Sequence, residues 1–287
     1  MRVVRHPNVP ESLDGWSILH RMFRFRRRRW DALDATNRTR IAAEAVEFLQ
    51  PLHEDPESDA ALAQLLGHKA DLMVTHYARS FDALGDIQVG FDRLALSDYL
   101  EASASYVSIL ELGLYDATAK IHANLRERKL KPHSQEWNDA FDELLREAGE
   151  EPRSAVRLWA KIPPRRYACF YPMDKKRGED VNWYMLPYDE RAALMVEHGK
   201  IGRTFHSLVT QVISGSIGFD DWEWGVDLYA DDPLVFKKLI YEMRFDEASA
   251  KYAAFGPFYT GMQFSIEALP AFLDGRERAA LLQQQLR

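Results

Sequence analysis

Two hydrophobic periods follow one another along this chain of 287 residues, and their order restricts the fold more than any other feature. Apolar residues at every second position predict strands, and apolar residues three and four positions apart predict helices. In the first half, these patterns predict a strand at 16–25, a helix at 36–53, a strand at 70–77, a helix at 80–96 and a strand at 106–112. The polar and charged segment 119–153 is typical of a connection with helical pieces.

The second half follows a similar order more clearly. Its predicted elements are a strand at 167–173, a helix from Pro187 to near Gly199, strands at 208–213 and 221–229, a helix at 233–255 and a strand at 258–263. This βαββαβ order is that of a ferredoxin-like unit. Two such units in tandem predict an α+β protein, in which antiparallel sheets pack face to face with the helices outside. We expect an N-terminal ferredoxin-like domain at 1–118, a connecting segment at 119–156 and a C-terminal ferredoxin-like domain at 157–287.

Composition limits the class of protein. The net charge of -7 argues against nucleic acid as the main partner, because neutralising phosphates requires a surplus of Lys and Arg. Cys169 is the one cysteine, which excludes an internal disulfide and is typical of a reducing compartment. No apolar run is long enough for a membrane span, and the first residues lack the apolar segment of a secretory signal. We therefore expect a cytoplasmic protein without a membrane span.

A basic run at 24–29 holds five arginines and is a local exception to the acidic charge. Such a run can bind nucleic acid or an anionic surface. It follows the predicted strand 16–25, so the favoured interpretation is a solvated strand end that pairs with acidic neighbours.

Tyr171 lies in the most unusual stretch of the sequence. A strand at 167–173 would place Tyr167, Cys169, Tyr171 and Met173 on one face, because alternate side chains of a strand point the same way. The run Lys175, Lys176 and Arg177 follows directly and predicts three cations at the mouth of whatever that face covers. An ordinary sheet face leading into a basic surface loop would explain the same residues.

His198 is the histidine with the most suggestive position, since it follows the Tyr171 strand on the next predicted helix. One interpretation is a histidine near a helix C-terminus, where a partial positive charge suits the helix dipole. The other is a haem ligand, because a single imidazole presented from a helix is how many proteins hold haem iron.

The motifs of the second half resemble those of the coproheme decarboxylases, the haem-synthesis branch of the chlorite dismutase superfamily. The matching runs are YPMDKKR at 171–177, NWYMLP at 182–187, ER at 190–191, EHG at 197–199, GR at 202–203, GFDDWEWG at 218–225 and YEMRFDE at 241–247. The first half matches more loosely, through LDGW at 13–16, LH at 19–20 and SYVS at 105–108. Two segments, 24–29 and 160–166, are not patterns of the family.

The resemblance implies an enzyme that uses hydrogen peroxide to remove carbon dioxide from two propionates of iron coproporphyrin III, or coproheme, and leaves the two vinyl groups of haem b. The porphyrin would be both substrate and redox cofactor. The resemblance also implies a homopentamer and a transient contact with a coproporphyrin ferrochelatase.

Five residues acquire reaction roles through the resemblance. His198 matches the axial iron ligand, and Tyr171 matches a tyrosine that becomes a radical and takes hydrogen from a propionate. Lys175 matches the cation that holds a reactive propionate. Met173 matches a thioether beside the porphyrin edge, and Trp183 matches an oxidisable tryptophan near the second reaction site.

Four further residues match positions that contact the porphyrin. Arg157, Arg244 and Ser249 match propionate-binding positions, and arginine suits a carboxylate because its donors form a fork. A surface salt bridge would also explain Arg244. Gln211 stands where chlorite dismutases carry an arginine, which disfavours chlorite chemistry.

Two other functions stay open from the sequence. A non-catalytic haem carrier or sensor on the same fold would bind through His198 but would have no use for Tyr171 beside Lys175. A chlorite dismutase or peroxidase is the other alternative, and Gln211 disfavours it.

Overall fold

The computed structural model describes residues 9–275 and residue 279, apart from the side chains at 114 and 116. The strands are β1 Leu13–Phe25, β2 Ser58–Leu65, β3 Leu72–Ala78, β4 Leu100–Leu112, β5 Tyr167–Lys175, β6 Val209–Gly215, β7 Trp224–Ala230, β8 Ala253–Phe255 and β9 Tyr259–Phe264. The helices are α1 Arg27–Asp31, α2 Ala35–Glu54, α3 Phe81–Asp92, α4 Leu114–Glu127, α5 Gln135–Glu150, α6 Pro152–Leu158, α7 Tyr188–Thr204, α8 Leu234–Met243, α9 Glu247–Ala250 and α10 Leu269–Asp274.

The strands form two ferredoxin-like units that share one sheet. In the first unit the strands lie in the order β4-β1-β3-β2, and in the second they lie in the order β9-β5-β7-β6. The units join where β2 pairs with β9 and where β4 pairs with β6, so that every strand except β8 belongs to a closed ring of antiparallel pairs. The predicted α+β fold with two βαββαβ units is thereby confirmed. The proposed domain limits at 118/119 and 156/157 fall within α4 and α6.

Each strand of the ring has an inner and an outer face. On β5, Ala168 and Phe170 belong to the cluster inside the ring, whereas Cys169 and Tyr171 belong to the cluster beneath α7 and α8. Met173 packs against that outer cluster too. The predicted shared face of alternate β5 residues is therefore confirmed, and it faces the helices.

The helices cover the outer faces of the two units unequally. Every residue of β3 in the first unit is buried. In the second unit, α7 has one fully buried residue, Arg191, and Val196 on this helix is 51% exposed. On β6, which follows α7 in the chain, Gln211 is only half-buried and Ile213 is 39% exposed. The helix α7 therefore packs loosely, and apolar surface stays uncovered near β6.

Several sequence-based boundaries were wrong. The predicted helix 233–255 ends at Met243, because Asp246 adopts an extended backbone and caps the separate helix α9. The strand β2 was missed, because it is buried on both faces and so lacks the alternation that marks a half-buried strand. Gly199 does not end its helix, which continues to Thr204.

The arginine run divides between three environments. Its first arginine, Arg24, lies in β1, and Arg26 forms a long ion pair with Glu101, 3.8 Å between Nε and Oε2. Arg27 instead begins α1 and donates to the carbonyl oxygens of Phe272 and Leu273 at the end of α10. Cations are favourable there because the last carbonyls of a helix lack partners. The predicted acidic pairing thus holds for Arg26, while Arg27 caps a helix.

No helix among the described residues is long and apolar enough to cross a membrane.

A buried polar pair lies inside the ring. His20 on β1 and Asp227 on β7 are 0% and 1% exposed, and His20 Nε2 lies 2.9 Å from Asp227 Oδ1. The imidazole also stacks on Phe170, with 4.1 Å between ring centroids. This contact ties the first unit to the second through the core of the ring.

We predict that Asp227→Ala lowers the free energy of unfolding by about 1–3 kcal/mol, because His20 Nε2 would stay buried without its partner. Asp227→Asn should cost less, since its amide oxygen can still accept a hydrogen bond. Urea unfolding of the unliganded chain measures both losses. Equal losses in the two variants would contradict the importance of this hydrogen bond.

Candidate functional site

Tyr171 is packed by two phenylalanines on the outer face of β5. Its ring stacks on Phe258 with 4.5 Å between centroids, and Phe255 lies 5.9 Å away. Burial raises the pKa of Tyr171 well above its ordinary value, while the nearby Arg244 charge opposes this only in part. The side chain is therefore a neutral phenol that retains its hydrogen at physiological pH.

Lys175 lies on the same face of β5, two residues beyond Met173, but it is buried and does not stand at a solvent-exposed mouth. The Nζ atom donates to the carbonyl oxygen of Ala248 at 3.1 Å and sits 4.4 Å from the ring centroid of Trp183. Trp183 is buried and donates through Nε1 to the Tyr115 hydroxyl at 3.2 Å. The predicted residues Lys175 and Trp183 are thus in direct contact.

The two cations that follow Lys175 are exposed, whereas Lys175 is buried. Arg177 is 60% exposed at its side chain and pairs with Glu223, with 3.5 Å between Nε and Oε1. Of the three cations expected at the mouth of the site, Lys175 lies inside it. The other two, Lys176 and Arg177, are exposed and belong to the loop 176–183.

His198 is held in one orientation by α9. Its Nδ1 lies 3.1 Å from Asp246 Oδ2 and 3.3 Å from Ser249 Oγ. Burial alone would raise the pKa of Asp246, but the hydrogen bonds from His198 and Ser249 outweigh it and hold that pKa below its ordinary value. The carboxylate therefore stays charged and accepts from Nδ1–H, in the tautomer that carries no proton on Nε2 of His198.

Asp246 was missed in the sequence. The signal is present, because Asp246 precedes Ser249 by three residues and accepts its backbone N–H at 2.9 Å, as a helix N-cap does. The long helix predicted at 233–255 concealed this cap. Ser249, expected to contact a propionate, here contacts the imidazole.

The remaining predicted residues fall into two groups. Arg244 lies over the ring of Phe255 at 3.8 Å, beside Tyr171, and Gln211 on β6 donates to the carbonyl oxygen of Gly202 on α7 at 3.4 Å. These residues share the layer between the second unit and its helices. Arg157 lies apart, exposed on α6, which packs against α5, β1 and β4.

The donor set fits a haem better than a bare metal ion. Within 9–275 and 279, no group of three His, Cys, Asp or Glu residues could hold a metal ion. One imidazole oriented through Nδ1 is sufficient for a porphyrin iron, because the macrocycle supplies the other donors. The loosely packed α7 and the uncovered apolar surface of β6 suit a flat apolar ligand, and Lys175 and Arg244 suit its carboxylates.

Comparisons with known proteins show which family the chain resembles. The family model described as chlorite dismutase matches residues 38–264. A coproheme decarboxylase of Staphylococcus saprophyticus is 41% identical, over 89% of this chain and 94% of the relative. A coproheme decarboxylase of Thermus thermophilus is 39% identical, over 94% of this chain and 98% of the relative.

Solved structures also match this chain over most of its length. A heme-binding protein from Thermus thermophilus superimposes with a TM-score of 0.79 at 39% identity, covering 94% of this chain and 99% of that one. A mutant chlorite dismutase from Candidatus Nitrospira defluvii has a TM-score of 0.69 at 18% identity, covering 91% and 96%, and this similarity concerns the fold alone.

The chain belongs to the chlorite dismutase family. Within that family, its relatives at about 40% identity and nearly full mutual coverage are coproheme decarboxylases. Some relatives are longer: the chain spans 40% of one from Natronomonas pharaonis, at 42% identity, and 48% of one from Haloquadratum walsbyi, at 40% identity.

The pKa of Lys175 leads to a prediction of how coproheme binding depends on pH. Burial lowers its pKa to about 8, against the opposing charges of Asp246 and Glu223. The ammonium is therefore present below that pH and is lost as the pH rises through it. We predict that affinity for a porphyrin carboxylate falls above about pH 8 in the wild type. Titrations of coproheme binding from about pH 6.5 to about pH 9.5 should show no such fall in Lys175→Met, and parallel curves for both proteins would contradict the assignment.

Proposed function

We propose that this protein converts coproheme to haem b by oxidative decarboxylation of two propionates with hydrogen peroxide, the last step of haem synthesis. The carrying observation is that Tyr171 and Lys175 lie on one face of β5, beneath helices that present a histidine oriented by Asp246. The relatives named coproheme decarboxylase support the same reaction.

His198 is the proposed axial ligand of the porphyrin iron. Asp246 would hold the Nδ1–H tautomer and make Nε2 a stronger donor, which is the usual effect of a carboxylate on a metal-bound imidazole. Ser249 adds a second contact to the same Nδ1. Gln211, an uncharged amide on β6, offers no fixed positive charge for a chlorite oxyanion, so chlorite dismutase chemistry is disfavoured.

Tyr171 is the proposed hydrogen carrier. The iron porphyrin and peroxide together supply the oxidising equivalents. Tyr171 gives up one electron and its phenolic proton, and then takes a hydrogen atom from a propionate. The propionate loses a second electron and carbon dioxide and becomes a vinyl group. For each propionic acid group, one hydrogen peroxide is consumed, and one carbon dioxide and two water molecules are formed.

The cations near Tyr171 are the proposed substrate anchors. The Lys175 ammonium carries three donor hydrogens, of which one is directed at Ala248, so others can bind a carboxylate. Arg244 offers a second anchor beside the Phe255 ring, and Met173 lines the same face. Arg157 is proposed as a substrate anchor on the resemblance alone. It lies on α6, so its side chain would have to reach the substrate from that helix. Trp183, in contact with Lys175, is proposed to be an oxidisable side chain near the second propionate that reacts.

A non-catalytic haem carrier is the second candidate function. It would use His198 and Asp246 but would gain nothing from a buried phenol next to a buried ammonium. A homopentamer, a cytoplasmic location and a contact with a ferrochelatase are parts of the same proposal. The cytoplasmic location is supported by Cys169, which is free and buried.

Anaerobic mixing of the protein with coproheme, followed by stepwise addition of peroxide, tests the function directly. The mass of the pigment should fall by the equivalent of two carbon dioxide units and the accompanying hydrogens, through a species that has lost one. A pigment that binds and keeps its mass would select the carrier.

We predict that His198→Ala weakens coproheme binding and shifts the iron absorption spectrum, because a methyl group cannot ligate iron. His206→Ala is the matched control, since His206 is an exposed histidine near the end of the same helix. Optical titration with coproheme measures both effects. A wild-type spectrum in His198→Ala, or a shifted one in His206→Ala, would move the ligand assignment to His206.

We predict that Tyr171→Phe folds, binds coproheme, still reacts with peroxide and forms essentially no haem b. The ring stacking on Phe258 is kept, so the stability should change little, but phenylalanine has no labile hydrogen to exchange with a propionate. Mass analysis of the pigment after peroxide addition is the measurement. Wild-type conversion by Tyr171→Phe would contradict the role of the phenol and leave haem binding standing.

A further inference from the structure

Glu223 lies in the turn before β7 and forms hydrogen bonds to residues at both ends of the loop 176–183. The regular β5–β7 pairing ends at Met173 opposite Trp224. Beyond this point two side chains replace the backbone bonds. The Glu223 N–H donates to Asp174 Oδ1 at 2.7 Å, and the Lys175 N–H donates to Glu223 Oε2 at 3.0 Å. This reciprocal pair holds the Lys175 backbone on the β7 side of the strand, while β8 pairs with residues 173–175 on the other side.

The same carboxylate also holds the far end of the loop. The Tyr184 hydroxyl donates to Glu223 Oε2 at 2.7 Å, and the Glu223 side chain is only 8% exposed. Burial, together with this bond, raises the pKa of Tyr184, so its hydroxyl stays a donor. One buried oxygen thus accepts from the residue before the loop 176–183 and from the residue after it.

The side chains that this arrangement positions are those assigned to substrate. Lys175 carries the ammonium, and Trp183 is the last residue of the loop, immediately before Tyr184. The 4.4 Å contact between the ammonium and the Trp183 ring requires both loop ends to stay in place. A backbone bond from Trp183 N–H to the Lys176 carbonyl oxygen, 2.9 Å, closes the loop but does not anchor it to β7.

We propose that Glu223 is a positioning residue for the decarboxylation: by holding the Lys175 backbone and the Tyr184 hydroxyl together, it places the Lys175 ammonium over Trp183. This inference rests on the proposed function, and it adds a residue that does not itself contact the substrate. Loss of the carboxylate should leave coproheme bound through His198 and Arg244. The propionate nearest Lys175 and Trp183 would then be held less well for reaction.

The test compares Glu223→Ala, which removes the accepting oxygens, and Tyr184→Phe with the control Glu179→Ala, which makes the same substitution on an exposed residue of the same loop. Amide hydrogen exchange of the unliganded proteins is the first measurement. The Lys175 amide and the loop 176–183 should exchange faster in Glu223→Ala, to a smaller extent in Tyr184→Phe, and as in the wild type in Glu179→Ala.

Steady-state kinetics and product masses are the second measurement. Glu223→Ala should lower kcat by about 10- to 100-fold with a nearly unchanged KM for coproheme, because a small misplacement near the reacting groups costs about that much. The species that has lost one carbon dioxide should accumulate. Tyr184→Phe should show a smaller loss of the same kind.

The outcomes separate the two proposals. Wild-type protein that binds coproheme without decarboxylating it would refute the proposed function, while faster exchange at Lys175 in Glu223→Ala would still support the anchoring. Active wild-type protein together with an unchanged kcat in Glu223→Ala, a change in KM alone, or unchanged exchange at Lys175 would overturn the positioning role.

Discussion

Closure of the antiparallel strands into a ring is the constraint on which the rest of the structure depends. The β2–β9 and β4–β6 pairs join the two units, and they give every strand an inner face packed with side chains and an outer face for helices. The buried His20–Asp227 contact links the units across the interior. Because β5 belongs to this ring, Tyr171 has one possible direction, towards α7 and α8.

The second unit differs from the first in how its helices cover the sheet. In the first unit β3 is buried along its whole length, whereas in the second unit α7 packs loosely over β6. The proposed reactive side chains belong to β5, which pairs with neighbouring strands on both sides, and the proposed iron ligand belongs to the loosely packed helix. This division would suit the proposed flat substrate, because α7 could adjust to it while the paired strand keeps Tyr171 and Lys175 in place.

Carboxylates that accept hydrogen bonds organise the site from outside it. Asp246 orients His198 and caps α9, and Glu223 holds the Lys175 backbone and Tyr184. Each is buried and fully engaged, so its removal should change the geometry of a neighbour more than the charge of the site. Their contacts, unlike those of the proposed substrate anchors, can be measured in the unliganded protein.

The sequence by itself determined the order of the two units, the shared face of Tyr171 and Met173, and the identity of the candidate ligand His198, because periodicity and local motifs are properties of neighbouring residues. It did not determine the roles of Asp246 and Glu223, because those depend on partners 48 residues away in both cases. The break after Met243 was missed although the Asp246 cap that follows it is local. The sequence also placed Lys175 at an open mouth, and Arg157 with the site residues. Only the tertiary structure decided that Lys175 is buried against Trp183 and that Arg157 stands apart on α6, since burial is fixed by which elements pack together.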